Sequence, residues 1–219
     1  MAVFVLVHSP VTGPATWRWV AAELAARGHE VSVPAVAAVR HWQEFAGAVA
    51  AQVDAEGAVL VGHSGAGLLL PQIAARVPAA GLVFVDSDVP PEEDHAELMP
   101  AVYLEPLRGL AVEGMLPRWS DWFGPDAMRE LLPDDAKRAI VSAELPRLPL
   151  SYFETRVPVP PGWMQLRCGY VLLSEAYEKS AAAAAARGWP VERRMGAHLD
   201  LVTRPEEVAS AILLAGGLG

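Results

Sequence analysis

Val59-Leu60-Val61-Gly62-His63-Ser64-Gly65-Ala66-Gly67 follows Ala58 and runs into Leu68-Leu69-Leu70. An apolar segment leads into small residues and then into a second apolar run. The pattern reads as strand, sharp turn and helix, with Ser64 at the apex. Such a turn lifts a hydroxyl above a sheet edge. It also aims the next amide, that of Gly65, and the start of a helix at the same point. Backbones crowd two positions before and two after the serine, and Gly62 and Ala66 are small enough for that. A serine hydroxyl is a weak nucleophile, so the turn carries chemistry only beside a base that a carboxylate orients.

Outward from this stretch the chain alternates. Val3 to Val7 is continuously apolar, as in a strand buried on both faces. Thr16 to Arg27 has helical spacing, with Thr16 as N-cap and Gly28 as stop. Glu30 to Pro34 is a second strand, and Trp42, Phe45, Val49 and Val53 mark a second helix. After Ser64 a helix is expected from Gly65 to Arg76, loosened at Pro71. Gly81 to Asp86 is a fourth strand. Residues 88–166 then break the rhythm: they are rich in proline and offer no convincing strand, and they hold Trp119, Trp122 and Trp163. An insertion of this length is expected to be a packed helical cap over Ser64, with these tryptophans lining an apolar pocket or anchoring the cap to the body. Tyr170 to Leu173, a helix from Glu175 to Arg187, Pro190 to Met195 and a helix from Pro205 to Leu214 restore the alternation. The expected architecture is α/β: one domain over 1–219, a six-stranded, mainly parallel sheet of order 2-1-3-4-5-6 with helices on both faces, and the cap inserted after strand four.

Composition narrows the function. The chain has 219 residues, 53% of them apolar, which is enough for one sizeable core. Its net charge of −9 without a Lys/Arg cluster argues against nucleic acid or an anionic membrane as partner. Val3 to Val7 is too short to span a bilayer. The single Cys168 fits a reducing, cytoplasmic setting; it precedes a strand and crowns no turn, so it is not expected to be a nucleophile. Among six histidines, His198 stands in the turn Gly196-Ala197-His198 after the last strand, where a doubly wound sheet delivers loops to its active edge. His63 is expected to face the opposite side of the elbow, and His8 to brace the first loop. His95 sits among Glu92, Glu93, Asp94 and Glu97 without a second histidine at ligand spacing, which reads as a solvated acidic stretch and no metal site.

Together these segments resemble the α/β-hydrolase superfamily, in a compact esterase-like branch that includes plant methyl esterases and hydroxynitrile lyases. Ser64 stands in a relaxed form of its G-x-S-x-G elbow, and Gly196-Ala197-His198 with Leu199, Val202 and Pro205 has the look of its histidine turn. The resemblance implies a Ser64–His198–acid triad and no cofactor. The family's carboxylate usually follows the penultimate strand, where Ala176 occupies the aspartate position and Glu175 is the nearest acid. In some members it follows the strand after the elbow, which here ends in Val85-Asp86-Ser87-Asp88 with Asp86 at the strand terminus. Asp86 is preferred here, then Glu175, then Asp88. The oxyanion site would take Gly65 N–H and a donor from the first loop. His8-Ser9-Pro10 puts a proline, which has no N–H, at the usual donor, leaving Val11 or the Ser9 hydroxyl. The implied function is hydrolysis of a small, largely apolar ester, thioester or lactone. A cofactor-free lyase and a non-catalytic ligand-binding protein are the alternatives, and a homodimer is left open.

Overall fold

Short apolar strands in parallel register organise the chain. A computed structural model describes residues 1–37, 39–124 and 126–218. In chain order the strands are β1 (Val3–Val7), β2 (Glu30–Ser32), β3 (Ala58–His63), β4 (Ala79–Val85), β5 (His95–Glu97), β6 (Arg156–Pro158), β7 (Arg167–Leu172) and β8 (Val191–Arg193). Six of them form one sheet of order β2-β1-β3-β4-β7-β8, and every neighbouring pair in it is parallel. The numbering departs from the expected 2-1-3-4-5-6 because β5 and β6, for which the sequence offers no convincing sign, intervene within 88–166. They pair antiparallel with each other, Ala96 opposite Val157.

Alternation along the strands builds two cores. Val5, Val7, Leu60, Leu82, Phe84, Tyr170 and Leu172 point to one face, against Phe45, Val49 and Ile73 of the helices Trp42–Ala50 and Leu70–Ala74. Phe4, Leu6, Val59, Val61, Val83, Val85 and Val171 point to the other, against Val20, Leu24, Val208 and Ile212 of the helices Arg18–Ala26 and Pro205–Ala215. Both faces are covered, so the strands read as unbroken apolar runs.

Several local expectations are corrected. Thr16 is not an N-cap: Pro14–Trp17 forms a 3-10 turn, the Thr16 hydroxyl donates to the Gly13 carbonyl at 2.8 Å, and the α-helix starts at Arg18. The segment after Ser64 is 3-10 over Ser64–Leu69 and becomes α-helical at Leu70. Pro71 therefore sits in a first turn, where its missing N–H leaves no bond unmade, and the loosening lies before it. Cys168 lies inside β7, 4% exposed, and burial pushes its thiol up to about 12.

The 88–166 insert packs onto both cores. Leu107, Leu116, Tyr152, Phe153 and Val157 join the first, and Val141 and Leu145 the second. Its Glu144 carboxylate accepts from the Ala15 N–H at 2.7 Å, tying the insert to the turn after β1.

Candidate active site

The C-terminal ends of β3, β4, β7 and β8 meet at one edge. β3 ends at His63, and Ser64 follows with φ +55°, a left-handed conformation that is strained for a residue with a side chain. Close packing holds it. A Cβ on Gly62 would lie 2.9 Å from Leu70 Cγ, and one on Gly67 would meet the Ser87 side chain and lie 2.8 Å from the Asp88 carbonyl. The crowding thus falls two residues before the serine and three after it, where the elbow rests against the turn that carries Asp86.

Asp86 follows β4 with φ +43° and is fully buried. One carboxylate oxygen accepts from the Leu173 and Ser174 amides at 2.8 Å each. The other accepts from the Ser174 hydroxyl at 2.6 Å and from His198 Nδ1 at 2.7 Å. Burial alone would raise the Asp86 carboxyl. The bonds from His198, Ser174 and Leu173 outweigh burial and hold it below the usual carboxylate range. An ionised carboxylate only accepts, so Nδ1 is the donor of this bond, and in the neutral imidazole Nε2 is then the nitrogen with the free lone pair. Tyr170 braces the turn, its hydroxyl donating to the Ser87 carbonyl at 2.7 Å.

The turn that presents His198 is clamped from below. Asp200 accepts from the Ala197 amide at 2.7 Å and pairs with Arg204, which also donates to the Arg194 carbonyl at 2.7 Å. A Cβ on Gly196 would meet the Asp200 carboxylate and the Arg204 guanidinium, so a side chain there would displace the ends of both.

The structure brings His198 to Asp86 and not to Glu175, which is exposed at the start of the turn Glu175–Tyr177. Asp88 is exposed and accepts from the Ser180 hydroxyl. Among the described residues no hydrogen bond joins Ser64 directly to His198. The Tyr177 ring stacks on His198, with centroids 5.3 Å apart and planes at 17°.

Sequence reasoning missed Tyr177, although it stands one residue beyond the position at which a carboxylate was sought. It also misjudged His63, which does not face away from the site. The His63 ring lies 4.5 Å from that of His198, and its Nε2–H donates to the His198 carbonyl at 2.9 Å. Period-two alternation contains the signal, because His63 shares a face with Val59 and Val61, the face that the C-terminal segment covers. Burial first, and the nearby His198 second, lower the His63 pKa to about 3, so its ring is neutral at ordinary pH.

The first loop lies against the elbow. Ser9 Oγ is 3.3 Å and Pro10 Cδ 3.6 Å from where a Cβ on Gly65 would sit. His8 fixes this loop, its Nδ1–H donating to the Ser9 carbonyl at 2.8 Å and its Nε2 accepting from the Val36 amide at 3.3 Å. Val11 is half-buried and packs against the first core. The three tryptophans separate. Trp119 lies 6.3 Å from the His198 ring, Trp122 stands edge-on to Phe153, and Trp163 is buried against Phe84 and Trp189. Trp163 is therefore an anchor of the insert, because its ring is used up on the sheet. Among the described residues no group of three His, Cys, Asp or Glu side chains is arranged to hold a metal ion, and no helix is long and apolar enough to cross a membrane.

The model of the alpha/beta hydrolase family matches residues 4–211. No curated protein matches. Among solved structures, an extracellular alpha/beta-hydrolase from a Paenibacillus species superposes with a TM-score of 0.76 at 19% identity, over 99% of each chain. It is described as sharing structural and functional homology with tobacco salicylic acid binding protein 2. Tomato methylketone synthase I, complexed with 2-tridecanone, has a TM-score of 0.76 at 15% identity, over 99% of this chain and 98% of that one. Polyneuridine aldehyde esterase has a TM-score of 0.71 at 16% identity, over 97% and 98%. At these identities the likeness is one of fold.

Proposed function

The chain belongs to the α/β-hydrolase family, and from that premise we propose that it is a cofactor-independent serine hydrolase acting on a small, largely apolar ester, thioester or lactone. The observation that carries the reading is the His198 imidazole held by the buried Asp86 carboxylate, at the sheet edge where Ser64 stands in its strained turn after β3. Trp119 of the 88–166 insert, which we read as a cap, lies 6.3 Å from the His198 ring and supports an apolar substrate. A single buried cysteine accords with a reducing, cytoplasmic setting.

In this mechanism the Ser64 proton passes to His198 Nε2 as Oγ bonds the substrate's carbonyl carbon. Asp86 keeps the imidazole in the required tautomer and stabilises the imidazolium. The carbonyl electron pair moves onto oxygen, which takes hydrogen bonds from the Gly65 amide and the Ser9 hydroxyl. Each such donor is worth about 10²–10³ in rate. His198 then returns the proton to the leaving alcohol or thiol, and water repeats the cycle on the acyl-enzyme. The Ser64–His198 bond closes when substrate enters, as catalytic hydrogen bonds commonly do.

Intact-mass analysis after fluorophosphonate treatment tests this. The expected result is one adduct on the wild type, none on Ser64→Ala, and labelling slowed about 10³-fold or more on His198→Ala. A folded wild type that takes no adduct would overturn the hydrolase reading. A lyase that forms no acyl-enzyme, using the same serine and histidine as a proton relay, would then be sought through carbon–carbon cleavage.

A further inference from the structure

We propose that His63 is a positioning residue for the base: its Nε2–H holds the main-chain carbonyl of His198 and so fixes where the imidazole stands relative to Ser64. The inference rests on the serine-hydrolase reading above.

Three observations carry it. The first is the bond itself. A carbonyl oxygen only accepts, so the 2.9 Å contact between His63 Nε2 and the His198 carbonyl requires the proton on Nε2. Among the described residues it is the one hydrogen bond between the elbow, 62–67, and the turn 196–200, and no backbone amide pairs with that carbonyl. The second is place. His63 ends β3 and directly precedes Ser64, so this bond links the nucleophile's own strand to the backbone that carries the base. His198 is then held at two points, its Nδ1 by Asp86 at 2.7 Å and its carbonyl by His63. A bond at Nδ1 alone leaves the imidazole free to swing about that atom, and a second hold on the main chain removes the swing. The third is what the histidine gives up. Its ring is fully buried, edge-on to Trp17 at 6.0 Å, and its Nδ1 has no partner among the described residues. In the neutral ring that nitrogen is an acceptor, and burying an unpaired acceptor costs stability. An apolar ring of similar size would avoid the cost, so packing alone does not call for histidine here. What histidine supplies, and a hydrocarbon cannot, is the Nε2–H.

The His63 ring also lies 4.5 Å from that of His198. Burial keeps it neutral at ordinary pH, so it sets no second cation beside the imidazolium that forms when His198 takes the Ser64 proton. In this role His63 gains and loses no proton. Its effect passes through the position of His198, and a misplacement of about 1 Å can cost about 10²-fold in rate.

The test is the rate of fluorophosphonate adduct formation, followed to saturating reagent, on wild type, His63→Phe and His63→Gln. His63→Phe keeps a ring and removes the donor. His63→Gln loses the ring and keeps an N–H at the reach of Nε2. Thermal melts establish that each variant is folded. The expected result is a maximal rate about 10- to 100-fold lower in His63→Phe, with the half-saturating concentration little changed, and a rate within about fivefold of wild type in His63→Gln. A residue that only filled space would give the opposite order, since phenylalanine replaces the ring better than glutamine does. Equal rates in the two variants, or a faster His63→Phe, would overturn this inference and leave the hydrolase reading standing. Nitrogen-15 NMR of the wild-type histidines is a second measurement that needs no variant to be active. His63, assigned by its absence in His63→Gln, should carry its proton on Nε2, and a proton on Nδ1 would overturn the inference. A folded wild type that takes no adduct would overturn both this inference and the hydrolase reading.

Discussion

Asp86 accepts four hydrogen bonds from three different residues, and a carboxamide cannot accept them all. Asp86→Asn turns one acceptor oxygen into a donor, so the imidazole loses the partner that keeps its proton on Nδ1. Fluorophosphonate labelling should slow by about 10³–10⁴-fold in this variant. Glu175→Gln should label within twofold of wild type. The reverse ranking would move the acid to the turn after β7. Both positions were visible in the sequence, because each ends an apolar run and each keeps the chain order serine, acid, histidine. The choice between them was not, since β4 and β7 are adjacent, with Val85 opposite Val171, and either strand end reaches the same loop. His63 and Tyr177 were illegible for a related reason. Their partner is His198, more than 130 residues from one and 21 from the other, and only the assembled sheet edge brings the three rings together.

The elbow works as an element because small residues let three backbones approach. Gly67 bears on the Ser87 side chain and the Asp88 carbonyl, so any added methyl pushes on the turn that holds Asp86. Gly67→Ala should lower stability by about 1–3 kcal/mol, the usual range for overpacking, and slow serine labelling as well. Gly47 gives the contrast. It lies within the helix Trp42–Ala50, and a Cβ there meets nothing within 4 Å. Gly47→Ala should raise stability by about 0.5–1 kcal/mol and leave labelling unchanged. Urea titrations of the three proteins give the comparison, and equal midpoints for Gly67→Ala and wild type would count against the close approach. The strand–turn–helix itself was plain in Val59 to Gly67. The change from 3-10 to α at Leu70 was not, because the sequence marks a weak point at Pro71 without saying on which side of it the helix yields.

At the scale of the whole molecule, the continuous apolar runs made a doubly covered parallel sheet legible. The β5–β6 pair stayed hidden, since its three-residue strands are about 60 residues apart and one ends at Pro158. The same sheet edge also sets how the protein responds to acid. His63 is buried and neutral with its pKa near 3, and burial lowers that of His8 too, whereas both return to about 6.5 when the chain unfolds. Below about pH 6.5 the unfolded chain therefore binds protons that the folded one refuses. Stability is fully present above that pH and is lost as the pH falls from about 6.5 toward 3. Asp86 acts lower down: its depressed pKa contributes stability that is present above about 3.9 and lost only below it. Between pH 6.5 and pH 5, His63 alone should remove on the order of 2 kcal/mol. In a domain of this size that lowers Tm by about 4–8 °C. Scanning calorimetry across this range should show the fall in wild type and a flatter profile in His63→Asn, which keeps an N–H donor but does not titrate. An undiminished slope in His63→Asn would shift the acid sensitivity to His8. A flattened one would mean that the ring packed on His198 also limits the fold in acid, so that site and stability share one residue.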